Sequence, residues 1–225
     1  MIRVHVICEG QTEEMFVKEL MQSHFVGMGI DLIPALIGKP GHKGGKFKSE
    51  RLMIDLKNRL LGDRVAWCTT FFDFYGLPAD FPGKKLDSNS TDIKVKAAAI
   101  NDALSQVVEH QLGSDSKRRF IPFVQMYEFE VLLFSDATAF AQGIAQSHLS
   151  ECLSSISHQF SSPEHINDSP NTAPSKRVLS LFPGYQKPIM GSLAAMEIGL
   201  SKIREECHLF DNWLMRLEAL SMDAN

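Results

Sequence analysis

The first fourteen residues join a strand to a helix almost without a linker, and this feature restricts the possible folds more than any other. Residues 2–8 have the β-branched composition of a buried strand, and residues 12–26 have the apolar spacing of a helix. Such a junction is typical of a βα unit in an open α/β sheet, where ligands bind at the carboxyl ends of the strands. Glu9 follows the strand directly, so we expect its carboxylate at that edge.

The rest of the amino-terminal half continues the alternation of strands and helices. Strand patterns occur at residues 30–37, 64–72 and 120–127, and the segment after Ser49 and residues 91–112 have helical spacing. This order predicts an α/β fold with a mostly parallel, four-stranded sheet flanked by helices. We expect residues 1–135 to form this core and residues 136–225 to form a helical C-terminal elaboration packed on it.

Composition favours a cytoplasmic globular protein. The chain has 225 residues, 44% of them hydrophobic, and its four cysteines form no C-x-x-C pair, which favours reduced thiols. The first strand begins at residue 2 and leaves no room for a signal peptide, and no run of about 18 apolar residues is present, so we expect no membrane association. The net charge of −4 argues weakly against a nucleic-acid coat protein, although lysines and arginines cluster locally.

Acidic residues follow three of the predicted strands. They are Glu9 after the first, Asp73 after the third, and Glu128 with Glu130 after the fourth. Each alone is more often a surface residue than a ligand, but right-handed crossovers bring parallel strand ends to one edge. Carboxylate oxygens are the ligands that Mg²⁺ prefers, and such ions act in phosphoryl transfer. We therefore expect a Mg²⁺ or Mn²⁺ site at this edge, with Glu9, Asp73 and Glu128 as candidate catalytic residues and Glu130 as a further metal ligand.

Three segments are candidates for binding phosphate or nucleic acid. Gly10 and Thr12 begin the first predicted helix, where free N–H groups attract anions. The other candidates are basic: His42, Lys43 and Lys46 in a glycine-rich loop, and Lys176 with Arg177 further along the chain. The loop lacks the spacing of a Walker motif, and a flexible hairpin or a solvated surface explains these basic residues almost equally well.

Two motifs resemble the Toprim fold of topoisomerases, primases and overcoming-lysogenization-defect nucleases. They are Cys8-Glu9-Gly10-Gln11-Thr12-Glu13-Glu14 and Phe71-Phe72-Asp73. The whole chain resembles a bacterial family of uncharacterised Toprim-like proteins, through segments that include Asp73-Phe74-Tyr75-Gly76-Leu77-Pro78, Tyr127-Glu128-Phe129-Glu130-Val131-Leu132-Leu133-Phe134, Ile166-Asn167-Asp168, Ala173-Pro174-Ser175-Lys176-Arg177 and Cys207-His208-Leu209-Phe210-Asp211-Asn212-Trp213. The resemblance implies that Glu9 acts as general acid, general base or metal ligand. It also implies an SMC-like ATPase partner encoded nearby.

The chain departs from the Toprim pattern at one position. The pattern has Asp-x-Asp after the third strand, but the second acid is replaced here by Tyr75. A two-metal site then needs a ligand from the fourth strand region. We expect Glu128 to supply it if that segment is helical, because Glu128 lies nearest the strand end, with Glu130 as the reserve.

Two functions of different kinds remain open. The first is a Mg²⁺-dependent nuclease that hydrolyses DNA or RNA phosphodiesters with an ATPase partner, in phage defence or genome maintenance. The second is a catalytically inactive Toprim-like subunit that binds and regulates such an ATPase. A small phosphoester substrate is a third, weaker possibility, and the sequence leaves open whether the protein forms a homodimer.

Overall fold

A parallel β-sheet lies at the centre of the computed structural model, which describes residues 1–38, 47–85, 92–167 and 170–222. Its strands run in the order β2-β1-β3-β4, with β5 also paired to β3, and every pairing is parallel. The strands are β1 Ile2–Cys8, β2 Ile30–Leu36, β3 Trp67–Asp73, β4 Phe120–Ile121 and β5 Val124–Gln125. The predicted α/β architecture, a parallel sheet flanked by helices, is confirmed.

The predicted fourth strand is wrong in one respect, because it is divided into β4 and β5. Pro122 lies at the division, and proline has no N–H to donate to the neighbouring strand. The Thr70 hydroxyl replaces the missing ladder bonds: it donates to the carbonyl oxygen of Phe123 at 2.9 Å and accepts from the Phe123 N–H at 3.0 Å. Both short strands therefore pair with β3, one after the other.

Replacing Thr70 with Val is expected to lower the free energy of unfolding by about 1–3 kcal/mol, because it leaves the buried N–H and C=O of Phe123 without partners. Chemical denaturation measures the change. Thr70→Ser keeps the hydroxyl and is the matched control, with an expected loss of less than about 1 kcal/mol. Equal stability of the two variants would show that the hydroxyl bridge is unimportant.

Helices surround the sheet and dominate the C-terminal half. The α-helices are α1 Gln11–Phe16, α2 Gln22–Gly27, α3 Ser49–Gly62, α4 Ile93–Leu112, α5 Ser114–Arg118, α6 Ala137–Gly143, α7 Ser150–Ser157, α8 Pro174–Leu181, α9 Ser192–Ile198, α10 Leu200–Glu206 and α11 His208–Met222. Two π-helical turns, Val17–Met21 and Lys187–Gly191, directly precede α2 and α9. Short 3₁₀ helices cover Phe129–Ser135, Ser147–Leu149, Pro163–His165 and Pro170–Thr172.

The two faces of the sheet carry separate hydrophobic cores. Side chains alternate along a strand, so Val6 of β1 points to one face and Ile7 to the other. The Ile7 core is closed by α3 and α4, through Leu56 and Leu104 among others. The Val6 core is larger, and it joins the sheet to α1, α2 and much of the C-terminal half, including Phe210, Trp213 and Leu217 of α11.

The C-terminal half contributes to the same core as the sheet. The Trp213 indole N–H of α11 donates to the Thr69 hydroxyl of β3 at 2.8 Å, and its ring stacks on Phe123 with centroids 4.3 Å apart. The boundary at residue 135 stays a prediction, since nothing tests it. Among the described residues, no helix is both long and apolar enough to cross a membrane.

Candidate functional site

Glu9 and Asp73 meet at the carboxyl edge of the sheet, where β1 and β3 end side by side. The parallel pairing of Cys8 with Phe71 brings the two strand ends together, and the backbone N–H of Asp73 donates to Glu9 Oε2 at 3.0 Å. Gly76 closes the turn after β3, and a Cβ at that position would collide with the Glu9 carboxylate. Two acids separated by 64 residues in the sequence therefore share one site, as their strand-end positions predict.

A lysine lies between the acids of this edge. The Lys187 ammonium is 2.7 Å from Asp73 Oδ2 and 3.0 Å from Glu130 Oε2. Lys187 begins the π-helical turn before α9, and such turns are frequent at functional sites. The Asp73 and Glu130 side chains are 9% and 0% exposed, whereas a third of the Lys187 side chain remains exposed. The lysine therefore reaches the buried carboxylates from the solvent side.

Glu13 is a fourth acid in the same cluster. It belongs to a capping box in which its Oε2 accepts the backbone N–H of Gly10 at 2.9 Å, and its side chain is almost completely buried. The Asp73 charge raises the pKa of Glu13 and the Lys187 charge lowers it, which places the carboxylate close to both groups. We name Glu9, Glu13, Asp73 and Glu130 together the acid cluster.

Burial is the main reason that the acids of this cluster resist ionisation. Burial, together with the Asp73 charge, raises the pKa of Glu9 to about 7 and that of Glu13 to about 8. Burial also raises the pKa of Glu130 to about 7, although Lys187 partly offsets this rise. It raises the pKa of Asp73 as well, again against the effect of Lys187.

The lysine remains charged because the acids around it outweigh its own burial. Burial lowers the pKa of Lys187, but the charges of Asp73, Glu130 and Glu13 raise it well above its ordinary value. The acid cluster thus holds two carboxyl groups in contact with this one ammonium group and two more within electrostatic range of it. When all four are ionised, the cluster has a net negative charge that further protons or a cation must balance.

Two buried oxygen atoms of the cluster have no hydrogen-bond donor. These atoms are Asp73 Oδ1 and Glu130 Oε1, whereas Glu130 Oε2 is paired with the Lys187 ammonium at 3.0 Å. Buried polar atoms in folded proteins almost always have a partner, so each exception needs an explanation. Here the unsatisfied atoms are all carboxylate acceptors, the atom type that a hard cation binds.

Glu128 makes a contact that the sequence did not predict, and its role as a catalytic residue and metal ligand stays a prediction. Its Oε2 accepts the backbone N–H of Ser175 at 2.8 Å, at the start of α8. Glu130, the reserve ligand in the sequence analysis, is instead the fully buried acid that contacts Lys187 beside Asp73. The segment is a 3₁₀ helix in which Glu128 is the N-cap and Glu130 lies in the first turn, so the two side chains separate. Glu128 still acts on the site electrostatically, because its charge raises the pKa of Asp73.

The predicted phosphate-binding residues that the structure describes have different environments. Thr12 is buried, and its methyl group lies next to Gly191. The N–H of Gly10 is already bonded to Glu13. The glycine-rich loop, with His42, Lys43 and Lys46, lies outside the described residues.

The basic pair on α8 shows two different environments. Lys176 is exposed to solvent, whereas the Arg177 guanidinium donates to the carbonyl oxygen of Thr172 at 2.9 Å and lies over the Phe160 ring. Both residues lie on the helix that Glu128 caps, so Glu128 links them to the edge of the acid cluster.

Lys187 and Glu13 are the two site residues that the sequence analysis missed. Glu13 is part of the first Toprim-like motif, but no role was predicted for it; an acid in the first turn of a helix often only complements the helix dipole. Lys187 follows Asp73 by 114 residues, and only its place between Tyr185 and Ile189 in a partly apolar segment distinguishes it in the sequence. No local spacing rule connects two groups so far apart.

The donors at this edge fit a hard divalent cation. Within the described ranges, no three histidine, cysteine or acidic side chains surround a single point that would hold a metal ion. Mg²⁺, however, is usually bound by one or two carboxylates and completed by water and substrate phosphates. Asp73, with Glu9 or Glu130, supplies that number of groups, and Asp73 Oδ1 and Glu130 Oε1 are acceptors without a donor.

Comparison with known proteins identifies the family of the chain. No curated protein and no solved structure matches it with significance. One family model, described as "Domain of unknown function (DUF4276)", matches residues 8–218. The match begins at the end of β1 and extends through most of α11, so it includes every residue of the acid cluster and Lys187. The chain therefore belongs to the DUF4276 family.

Proposed function

We propose that this protein is a Mg²⁺- or Mn²⁺-dependent phosphodiesterase of Toprim-like type that hydrolyses DNA or RNA. One observation supports the proposal above the others: Asp73 and Glu130 contact a single ammonium group at the carboxyl edge of a parallel sheet, and Glu9 and Glu13 lie within electrostatic range of it. Ligands bind at this edge in open α/β sheets, and shifted pKa values in a cleft are typical of catalytic sites. An excess of buried negative charge is a suitable environment for a divalent cation.

The residues of the edge have separable roles in this proposal. Asp73 would hold the metal, with Glu9 or Glu130 as the second ligand; the bound metal polarises the scissile phosphate and activates a water molecule. Glu9 has a pKa of about 7, so it is able to accept or donate a proton near neutral pH. Lys187 is partly exposed and would orient or neutralise a phosphate oxygen of the substrate.

The Toprim-like interpretation rests on the motifs and on the position of Glu9 and Asp73 at adjacent strand ends. Tyr75 replaces the second aspartate of that pattern, and Glu130 is the acid that lies beside Asp73 in its place. The resemblance adds an SMC-like ATPase partner, with a role in phage defence or genome maintenance. Lys43, Lys46, Lys176 and Arg177 remain the proposed contacts to the nucleic-acid backbone.

A cleavage assay on the full chain tests the proposal. Labelled single-stranded and duplex DNA and RNA are incubated with the protein in Mg²⁺, Mn²⁺ or EDTA, with and without the ATPase partner. Metal-dependent cleavage is expected, together with a rise in Tm at millimolar metal, because a ligand that binds only the folded state stabilises it. If no substrate is cut in any metal and the Tm does not change, the proposed activity is wrong.

The alternative, an inactive regulatory subunit, is favoured by one observation. The Lys187 ammonium contacts Asp73 and Glu130 directly and thereby supplies a positive charge without any metal. In an inactive subunit this ion pair would be permanent. Tight binding of the ATPase by a protein that neither cleaves nucleic acid nor gains stability from Mg²⁺ would favour this second function.

A further inference from the structure

Aromatic side chains form a second feature beside the acid cluster. Phe74, Tyr75 and Tyr127 are mutually in contact, with ring centroids 5.8–6.3 Å apart. The backbone N–H of Tyr75 donates to the carbonyl oxygen of Tyr127 at 3.1 Å, so the turns that follow β3 and β5 are held together. We name these three side chains the aromatic platform.

The platform is packed against the core but keeps part of its surface exposed. Phe74 and Tyr127 pack against the buried side chains of Ile93, Ala97 and Met126. All three platform residues nevertheless remain only partly buried. The platform therefore presents aromatic surface that the core supports from below.

The backbone at Tyr127 is strained in a way that favours a functional explanation. Its φ angle is +66°, a left-handed conformation that bulky residues rarely adopt. Glycine or asparagine would occupy this position with less strain. This conformation places the Tyr127 ring beside Tyr75. Glycine or asparagine at position 127 would be less strained but would supply no aromatic ring there.

The platform lies next to the groups proposed for catalysis. Tyr75 follows Asp73 by two residues, and Tyr127 directly precedes Glu128. The Glu128 charge raises the pKa of Tyr75 as well as that of Asp73, so these three side chains lie near one another. The Glu9 charge acts on the pKa of Lys84, so these two groups lie close together. The Lys84 ammonium is 5.3 Å from the centre of the Phe74 ring.

We infer that the aromatic platform binds a nucleobase next to the scissile phosphate and selects single-stranded nucleic acid. The inference deepens the proposed function and rests on it for the position of the phosphate. Bases paired in a duplex have their faces covered by their neighbours, whereas the unstacked bases of a single strand stack on aromatic side chains. DNA and RNA share this chemistry, and stacking on a ring discriminates weakly between the four bases.

Binding in EDTA tests the platform without any cleavage. Fluorescence anisotropy measures the affinity of the full-length protein for a labelled single-stranded decamer, as DNA and as RNA. Tyr75→Leu and Tyr127→Asn remove one ring each, and asparagine tolerates the positive φ at residue 127. Each is expected to weaken binding about tenfold to a hundredfold, while Tyr75→Phe and Tyr127→Phe remain within about twofold of the wild type.

A second measurement does not depend on how the variants fold. An abasic decamer has the same phosphates but no bases, and it is expected to bind the wild-type protein as weakly as the normal decamer binds Tyr75→Leu. Ring removal is expected to leave binding of the abasic strand and of a duplex unchanged. Wild-type affinity of the ring variants for the normal decamer, or equal wild-type binding of the abasic and normal strands, would overturn the inference.

The outcome is distinguishable from a failure of the proposed function. Ring-dependent binding without cleavage in any metal would support the platform and contradict the phosphodiesterase activity. Metal-dependent cleavage of single strands that is unaffected by either ring removal would support the activity and contradict the platform.

Discussion

A variant that carries Glu9→Gln and Asp73→Asn together is expected to lose metal-dependent cleavage by about a thousandfold or more. A metal ion contributes several kcal/mol to the stabilisation of a phosphoryl-transfer transition state, and each 1.4 kcal/mol corresponds to about a factor of ten in rate. The double substitution removes the negative charge of the main proposed ligand and replaces the group that moves the proton with an amide that cannot do so. Single-turnover cleavage of the best substrate, with metal in excess, measures the effect.

The same variant is expected to fold in the absence of metal. Both substitutions are close in shape, and they relieve the repulsion between Glu9 and Asp73, which offsets part of the loss of the ion pair between Asp73 and Lys187. The matched control is Glu14→Gln with Asp80→Asn, which makes the same chemical changes on acids outside the cluster and is expected to cleave normally. Wild-type cleavage by the Glu9 and Asp73 variant would exclude both residues from catalysis.

Glu9 and Asp73 were predictable because their positions follow from local patterns and one topological rule. Each acid ends a strand that is recognisable from its β-branched and aromatic residues, and parallel strands place such ends at one edge. The α/β architecture follows from the same alternation. The division at Pro122 also had a local signal, since proline rarely occupies a central strand position.

The choice between Glu128 and Glu130 needed information that the sequence does not contain. Residues two apart share a face in a strand but diverge in a helix, and the observed 3₁₀ helix depends on packing of the buried residues 129–135. Lys187 was beyond prediction for a related reason. Its contact with Asp73 exists only because the C-terminal helices pack on the first half of the chain.

Lys187→Met is expected to lower the free energy of unfolding by about 2–4 kcal/mol at pH 8 in the absence of metal. Removing one partner of a buried ion pair costs about 3–5 kcal/mol, and the partial exposure of the Lys187 side chain moderates that figure. The remaining cluster would hold four carboxyl groups and none of the positive charge that now contacts Asp73 and Glu130. Urea denaturation measures the loss.

The loss is expected to depend on pH in a defined direction. Glu9, Glu13 and Glu130 have folded-state pKa values of about 7, 8 and 7, above the unfolded value of 4.5. Between pH 5 and 8 the folded state therefore binds more protons than the unfolded state, and stability falls as the pH rises. The raised pKa of Lys187 keeps it charged throughout this range, so its stabilising effect grows as the acids around it ionise.

Metal should therefore replace the missing lysine charge. At pH 8, Mg²⁺ is expected to raise the Tm of Lys187→Met more than that of the wild type, because the variant lacks the positive charge that competes for the carboxylates. At pH 5 Glu9, Glu13 and Glu130 are protonated, and both the destabilisation and the effect of Mg²⁺ are expected to become smaller. Lys202→Met removes a surface lysine paired with Glu205 and Glu206, and as the matched control it is expected to change stability by less than about 1 kcal/mol. If Lys187→Met is as stable as that control at pH 8 and gains nothing from Mg²⁺, the acid cluster is not the cation site that the proposed activity requires.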